Sequence, residues 1–199
     1  MSTRLQMSVC GQPGRLKLTD LASGGSMAGK VDIPVAEAAS RTIEALRDPG
    51  VLLVSLDKNG RPNGLTIGWA FIGPSWGKSI FVAMIRPSRH SYEMVEHTGD
   101  FTVNVLPSGP EMERAISLWG TVSGRDHDKF AETGLQAAPS RLVRSPVVEQ
   151  AILSYECRVL AKIDLPPQAL PESINRSSYP KGDYHRLYFA EIVACYGAL

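Results

Sequence analysis

Two rhythms of apolar and polar positions run along this chain. From Leu153 to Ile163 every second residue is apolar (Leu153, Tyr155, Cys157, Val159, Ala161, Ile163), with mostly polar residues between, which predicts a long half-buried strand. A final strand is expected from about His185 to Cys195. Between the two, the proline- and serine-containing residues 165–183 read as a loop longer than an ordinary connection needs. Nearer the start, Val51 to Leu56 is an apolar, β-branched run, Asp57-Lys58-Asn59-Gly60 is a turn signal, and Leu65 to Ile72 is a second run. A hairpin follows from that order. Ser79 to Arg86, stopped by Pro87, and Phe101 to Leu106 are further strands.

Helical spacing is confined to shorter stretches. Val35, Ala38, Ala39, Ile43 and Leu46 suit a helix over 35–47, ended by Asp48-Pro49-Gly50. Residues 88–98 predict another, with Tyr92, Met94 and Val95 inward and Gly99 closing it. Ser108-Gly109-Pro110-Glu111 fits a capping box opening a helix that carries Met112, Ile116 and Trp119, and Asp126 is placed to cap a short helix ending at Gly134. Residues 1–30 are short of large apolar side chains and contain Ser23-Gly24-Gly25-Ser26, so they read as an extension, mobile or lying over a partner subunit. Residues 31–199 are then one domain. Its expected class is α+β, mainly β: an antiparallel barrel of about six strands with short flanking helices.

Composition narrows the function classes. With 199 residues the chain suits one substantial domain. Lys+Arg is 21 and Asp+Glu 20, a net charge of +1, which lacks the basic excess of a nucleic-acid footprint. Cys10, Cys157 and Cys195 have no CxxC spacing, so neither a disulfide framework nor a structural zinc site is expected. No apolar run approaches the ~20 residues of a membrane span, and no secretory signal is visible. The expected location is cytoplasmic.

Several familiar motifs fail on inspection. Gly77-Lys78-Ser79 looks like the end of a phosphate-binding P-loop, but Ile72 stands where the first glycine belongs and a strand, not a helix, follows. No GxGxxG or GxSxG occurs. His90, His97, His127 and His185 include no i, i+4 pair, and Asp126-His127-Asp128 reads more simply as a solvated helix start than as a metal site. Two segments hold more. Arg86-Pro87-Ser88-Arg89-His90-Ser91-Tyr92 joins a strand to a helix and gathers hydroxyls and arginines at that helix's positive end, which suits either a phosphate or an ordinary N-cap with surface arginines. Asn63-Gly64-Leu65-Thr66-Ile67-Gly68-Trp69 puts two glycines on a strand, as a close-lying flat ligand or a barrel-corner bulge would require.

In order, Pro49-Gly50-Val51-Leu52-Leu53-Val54, Asn63-Gly64-Leu65-Thr66, Arg89-His90-Ser91-Tyr92, Gly99-Asp100-Phe101-Thr102-Val103-Asn104-Val105, Asp128-Lys129-Phe130 with Gly134-Leu135, Glu156-Cys157 and Gly182 to Val193 resemble the flavin reductase-like family. The resemblance spans roughly residues 45–195, and its flavoredoxin-type branch is nearest. It implies an FMN-binding split barrel over residues 31–199 and an NAD(P)H-dependent flavoprotein oxidoreductase. An electron carrier reduced by a protein partner and a non-enzymatic flavin-binding protein are the alternatives. It also implies a homodimer. Residue by residue, Asn63, Thr66, Ile67, Gly68 and Trp69 fall on the strand that lines the flavin ring in such proteins. Arg89, His90 and Ser91 fall at the phosphate turn, with Lys129 a second cation. Asn104 either reaches the ribityl chain or bonds within the barrel, and His185 faces the flavin from the last strand. The extension and the 165–183 loop depart from the family pattern.

Overall fold

The computed structural model describes residues 29–198, so the expected extension and Cys10 lie outside the described residues, apart from Gly29 and Lys30. In chain order the elements are β1 (Val31–Asp32), α1 (Val35–Arg47), β2 (Val51–Leu56), β3 (Pro62–Ile67), β4 (Ala70–Ser75), β5 (Lys78–Ile85), α2 (His90–Thr98) and β6 (Asp100–Val105). There follow α3 (Pro110–Thr121), α4 (Lys129–Thr133), β7 (Ala137–Ala138), β8 (Val147–Val148), β9 (Leu153–Asp164), α5 (Glu172–Ser178) and β10 (Arg186–Gly197). The large sheet runs β3-β2-β6-β9-β10-β5-β4, with β1 added at the far end of β10. Every pairing is antiparallel. The path ends at β3 on one side and β4 on the other, so the curled sheet is split rather than closed.

The sheet buries both faces near its centre. On β2, Val51 and Leu53 belong to the barrel interior with Phe81, Phe101, Val103, Tyr155 and Tyr188. Its alternate residues Leu52 and Val54 pack the other way, against Ile116 and Trp119 of α3. That double burial explains the unbroken apolar run: a strand covered on both sides has no polar face to show. Each large side chain so buried contributes about 1.5–3 kcal/mol. α2 lies over the barrel with Ser91, Met94 and Val95 buried, and Gly99 closes it in the left-handed conformation at φ 70°.

Five expectations are corrected in detail. The run from Leu65 to Ile72 is two strands, because the chain leaves the edge of β2 at Gly68-Trp69 and crosses to the edge of β5. A Cβ at Gly68 would stand 3.1 Å from the Leu46 carbonyl oxygen, so the crossing passes close to the end of α1. The capping box does not form: Gly109, at φ 141°, takes the N-cap of α3 without a side-chain bond, and Pro110 opens the helix. Asp128, not Asp126, caps α4, its carboxylate accepting from the Ala131 N–H. On β9 only the second half is half-buried, and Ile163 is 56% exposed. Ser154 and Glu156 are sealed in at the first half. Glu156 accepts hydrogen bonds from the backbone of Arg141 and Leu142 and from the Tyr196 hydroxyl. Residues 165–183 are not irregular throughout, since they contain a 3-10 turn at Pro167–Ala169 and α5. Asn175 on α5 donates its amide back to the carbonyls of Pro167 and Leu170, tying the insertion to itself.

No helix among the described residues is long and apolar enough to cross a membrane. Gly77-Lys78 forms part of the β4–β5 turn, with Trp76 and Gly77 both at positive φ, which is hairpin geometry and not a phosphate loop.

Gly64 on β3 tests how tightly the split edge is packed. A Cβ there would lie 2.0 Å from the Leu53 carbonyl oxygen, a backbone atom held in the β2–β3 ladder. Gly64→Ala is therefore expected to destabilise the protein by about 1–3 kcal/mol. Gly73→Ala on β4, with nothing within 4 Å of the new methyl, should be neutral or slightly stabilising. Thermal unfolding of the two variants checks this, and equal midpoints would refute it.

Candidate functional site

Two recesses open beside the split, and they share Leu65 and Arg89. The larger, about 200 Å³, lies between the end of β3 and the end of β5, bordered by Thr66, Ile67, Gly68, Trp69, Met84, Arg86, Arg89 and His185. The smaller, about 90 Å³, lies between β3, the start of α2 and the α3–α4 connection. Its walls include Gly64, Ser88, Arg89, His90, Ser91, Ser123, Gly124 and Lys129. Together they form one groove with a flat, backbone-rich end and a cationic end.

The cationic end is built from three elements. Arg89 is the N-cap of α2, and no side chain caps the helix there. Nine residues of aligned peptide dipoles thus end in unpaired N–H groups beside the recess. The Arg89 guanidinium has no hydrogen-bond or ion-pair partner among the described residues. Lys129, from α4, is 3% exposed, and its ammonium donates to the carbonyls of Gly64 and Trp119, each at 2.8 Å. Burial, and then the neighbouring Arg89 charge, push its pKa down to about 8. Two further polar groups lack partners: His90 Nδ1 and both amide atoms of Asn63 are buried without a hydrogen bond. The nearest charge to His90 Nδ1 is Glu93, at 4.0 Å, too far for one. Orphaned buried polar atoms are rare, and the one at His90, which borders the smaller recess, fits a polar ligand there.

Arg86 is partly committed to the insertion. Its guanidinium donates to the carbonyls of Ser178 and Asp183 and lies 4.9 Å over the Tyr179 ring. Asp183 in turn accepts from the Ser88 N–H and hydroxyl, so the insertion is clamped onto the phosphate-like turn. Asp183 stands at φ 59°, a left-handed conformation that this clamp sustains. At the far wall of the larger recess Trp69 meets His185 at 5.2 Å, and Tyr179 of the insertion packs behind both rings. His185 is 8% exposed, and burial followed by the Arg86 charge pushes its pKa down to about 4.

The sequence candidates sort clearly. Thr66, Ile67, Gly68, Trp69 and His185 border the larger recess, His90, Ser91 and Lys129 the smaller, and Arg89 both. Asn63 borders neither recess; its amide lies against Gly124, where a Cβ would come within 1.4 Å of it. Asn104 borders neither. Its amide donates to the Thr102 hydroxyl and toward the Leu52 carbonyl, and accepts from the Val148 N–H and the Ser154 hydroxyl. Of its two readings, the bond within the barrel is the one present. Met84, Ser123, Gly124 and Tyr179 were missed. Of these only Gly124, beside a serine, carried even a turn signal.

Residues 47–198 match the family described as flavin reductase like domain. The chain belongs to the flavin reductase-like family. Among curated relatives, an uncharacterized protein of Archaeoglobus fulgidus is 26% identical over 52% of this chain and 57% of its own length. The uncharacterized protein YddH of Escherichia coli K12 is 30% identical over 56% of this chain and 59% of its own. The matches thus span under two thirds of those relatives. Among solved structures, flavoredoxin of Desulfovibrio vulgaris (Miyazaki F) aligns over 74% of this chain and 68% of its own, at 23% identity and a TM-score of 0.59. Nitrilotriacetate monooxygenase component B from Bacillus cereus aligns over 94% and 83%, at 15% identity and 0.60. These structures share the split-barrel fold with this flavin reductase-like domain.

Acid should expose the cost of the buried imidazole. In the fold His185 stays neutral down to about pH 4, whereas in the unfolded chain it takes a proton near pH 6.5. The unfolded state therefore binds more protons between those values, and stability falls as pH drops through that window. The loss attributable to His185 reaches up to about 3 kcal/mol. Denaturant unfolding of wild type and His185→Gln at pH 6.5 and pH 4.5 measures it, and parallel losses in both would refute the assignment.

Proposed function

We propose that this domain holds FMN in the groove and works as an NAD(P)H-dependent flavoprotein oxidoreductase. The observation that carries the reading is the junction at Arg89 of an uncapped helix N-terminus and two cations with a backbone-lined slot. FMN needs a dianion site at one end and a flat ring site at the other, and the two recesses have that chemistry in that order. Family membership supports the same cofactor. The phosphate falls to Arg89, Lys129 and the first N–H groups of α2, with Ser91 and His90 beside them. The ring system falls against Thr66 to Trp69, with His185 opposite.

When bound, FMN supplies hydride acceptance and electron transfer at its ring. The chain's own part is to bind, orient and exclude water. Thr66 is set by donating its hydroxyl to the Ile116 carbonyl, so β3 is braced from behind by α3. Trp69, 47% exposed, stands at the open side, where a second substrate would approach. The recesses fall near the ~300 Å³ lower end of ligand sites, which leaves that side open. Phe71 on the β4 edge and Trp76 in the turn after it are 61% and 62% exposed, a surface suited to a second copy, and a cytoplasmic homodimer is the proposed form.

An absorption spectrum of the purified protein, then anaerobic NADH and NADPH, tests the reading. Prompt bleaching of an oxidised-flavin spectrum is expected, and a protein that neither carries nor takes up FMN would refute it. A flavin that persists through both additions would replace the reductase with an electron carrier or a non-enzymatic binder.

Two finer outcomes follow from the cationic end. Arg89→Ala is expected to weaken FMN binding by about 10-fold or more, since a charge-assisted bond is worth about 1.5–3 kcal/mol. Arg114→Ala, at an exposed position of α3, should leave it unchanged. Affinity should also fall as pH rises above about 8, because Lys129 then loses the proton a phosphate requires. Fluorescence titration across pH 7–9.5 reads both, and a flat profile would remove Lys129 from the phosphate site.

A further inference from the structure

The two ring nitrogens of His185 have different surroundings. Nδ1 lies 2.7 Å from the Tyr179 hydroxyl oxygen. Nε2 has no partner among the described residues, and the ring borders the larger recess. Tyr179 belongs to the insertion and is held there from several sides. It is 5% exposed, with its backbone N–H bonded to the Asn175 carbonyl. Its ring stacks on Tyr184 at 4.5 Å, and Arg86 covers it at 4.9 Å. Tyr184 is anchored in turn, its hydroxyl donating to the Asn175 side chain.

This setting decides which way the proton of the short contact points. The Tyr179 phenol has one polar partner among the described residues, Nδ1. If Nδ1–H donated to the phenol oxygen, the phenol proton would be left in a buried pocket with nowhere to go. If the phenol donates, both atoms of the contact are satisfied, and the imidazole proton must sit on Nε2, at the border of the recess. Burial raises the phenol's pKa and keeps it a donor, and burial first, then the charge of Arg86 just after β5, with Asp183 opposing and Arg89 at the N-cap of α2 assisting, leaves the His185 ring neutral.

We infer that Tyr179 is a positioning residue that fixes His185 as the neutral Nε2–H tautomer, so that the residue just before β10 presents a hydrogen-bond donor to the acceptor edge of the ring system bound in the larger recess. The inference rests on the FMN reading for the identity of that ring system, and on the chain's own geometry for the tautomer. It gives the insertion a role: residues 165–183 carry the phenol that sets the proton on a site residue at the entry to β10. A donor aimed at an acceptor that gains negative charge on reduction favours the reduced state, so the pair would raise the bound flavin's midpoint potential.

Nitrogen-15 NMR of histidine-labelled protein tests this, with the His185 signals assigned by their loss in His185→Gln. In wild-type protein without cofactor, His185 should be a single Nε2–H tautomer that persists well below pH 6. In Tyr179→Phe, whose fold is checked by its thermal transition, the ring should show both tautomers and titrate at higher pH. An Nδ1–H tautomer in wild type, or an unchanged His185 in Tyr179→Phe, would overturn the proposal. Adding FMN should then move the Nε2–H proton in wild type, and Tyr179→Phe should bind FMN about 2- to 10-fold more weakly, with a lower midpoint potential. Binding of FMN that leaves both the Nε2–H signal and the potential unmoved would overturn the donor role. Failure of wild type to bind FMN at all would overturn the cofactor reading instead, with the tautomer result still deciding the pair.

Discussion

The Lys129 ammonium, 3% exposed and bonded to the carbonyls of Gly64 and Trp119, ties three parts of the fold at one point. Gly64 lies on the free edge of the split sheet and Trp119 near the end of α3. Burying an unpaired ammonium costs several kcal/mol, so the cation stays only because both carbonyls turn toward it. The same bonds satisfy a carbonyl on each element. Trp119 completes the arrangement, packing edge-on against Phe130 at 4.8 Å and donating its ring N–H to the Thr133 hydroxyl. Edge strand, α3 and α4 therefore move together or not at all.

A cation kept in this way is strained toward a third partner. Two of its three donors face carbonyls, and Arg89 repels it across the recess. An anion between Lys129 and Arg89 would relieve that repulsion and cap α2 in one step. Phosphate affinity and the packing of the split edge are thus one property here. A substitution that loosens Gly64 should be felt at the phosphate end even though Gly64 carries no charge.

Much of the barrel was legible in sequence because its strands are short of exceptions: Val51 to Leu56 and Phe101 to Val105 are apolar enough to be strands in any surroundings. The places that misled share a cause. Leu65 to Ile72 looks continuous because apolar pattern reports burial and is blind to which neighbour supplies it, and the neighbour changes from β2 to β5 at Gly68. Ser154 and Glu156 looked solvent-facing because their partners, Asn104 and the 141–142 backbone, are distant in the chain. The site divided in the same way. Arg89, Ser91 and Lys129 were legible through short motifs, whereas Arg86 read as a free cation until its carbonyl partners in the insertion were placed.

That diversion of Arg86 explains how the two ends of the groove stay chemically distinct. Had both arginines faced the start of α2, positive charge would extend from the phosphate end into the ring slot and favour any anion along it. Instead Arg86 spends its charge on the carbonyls of Ser178 and Asp183, and Asp183 adds a carboxylate against Ser88. The ring slot keeps Arg86 at its border beside a neutral imidazole, an indole and backbone, while Arg89 and Lys129 carry the charge at the phosphate end. Orientation of a ligand with one charged end follows from that contrast alone. The insertion contributes from two points, holding the Arg86 donors on its carbonyls and the Asp183 carboxylate against Ser88 at the border of the phosphate end.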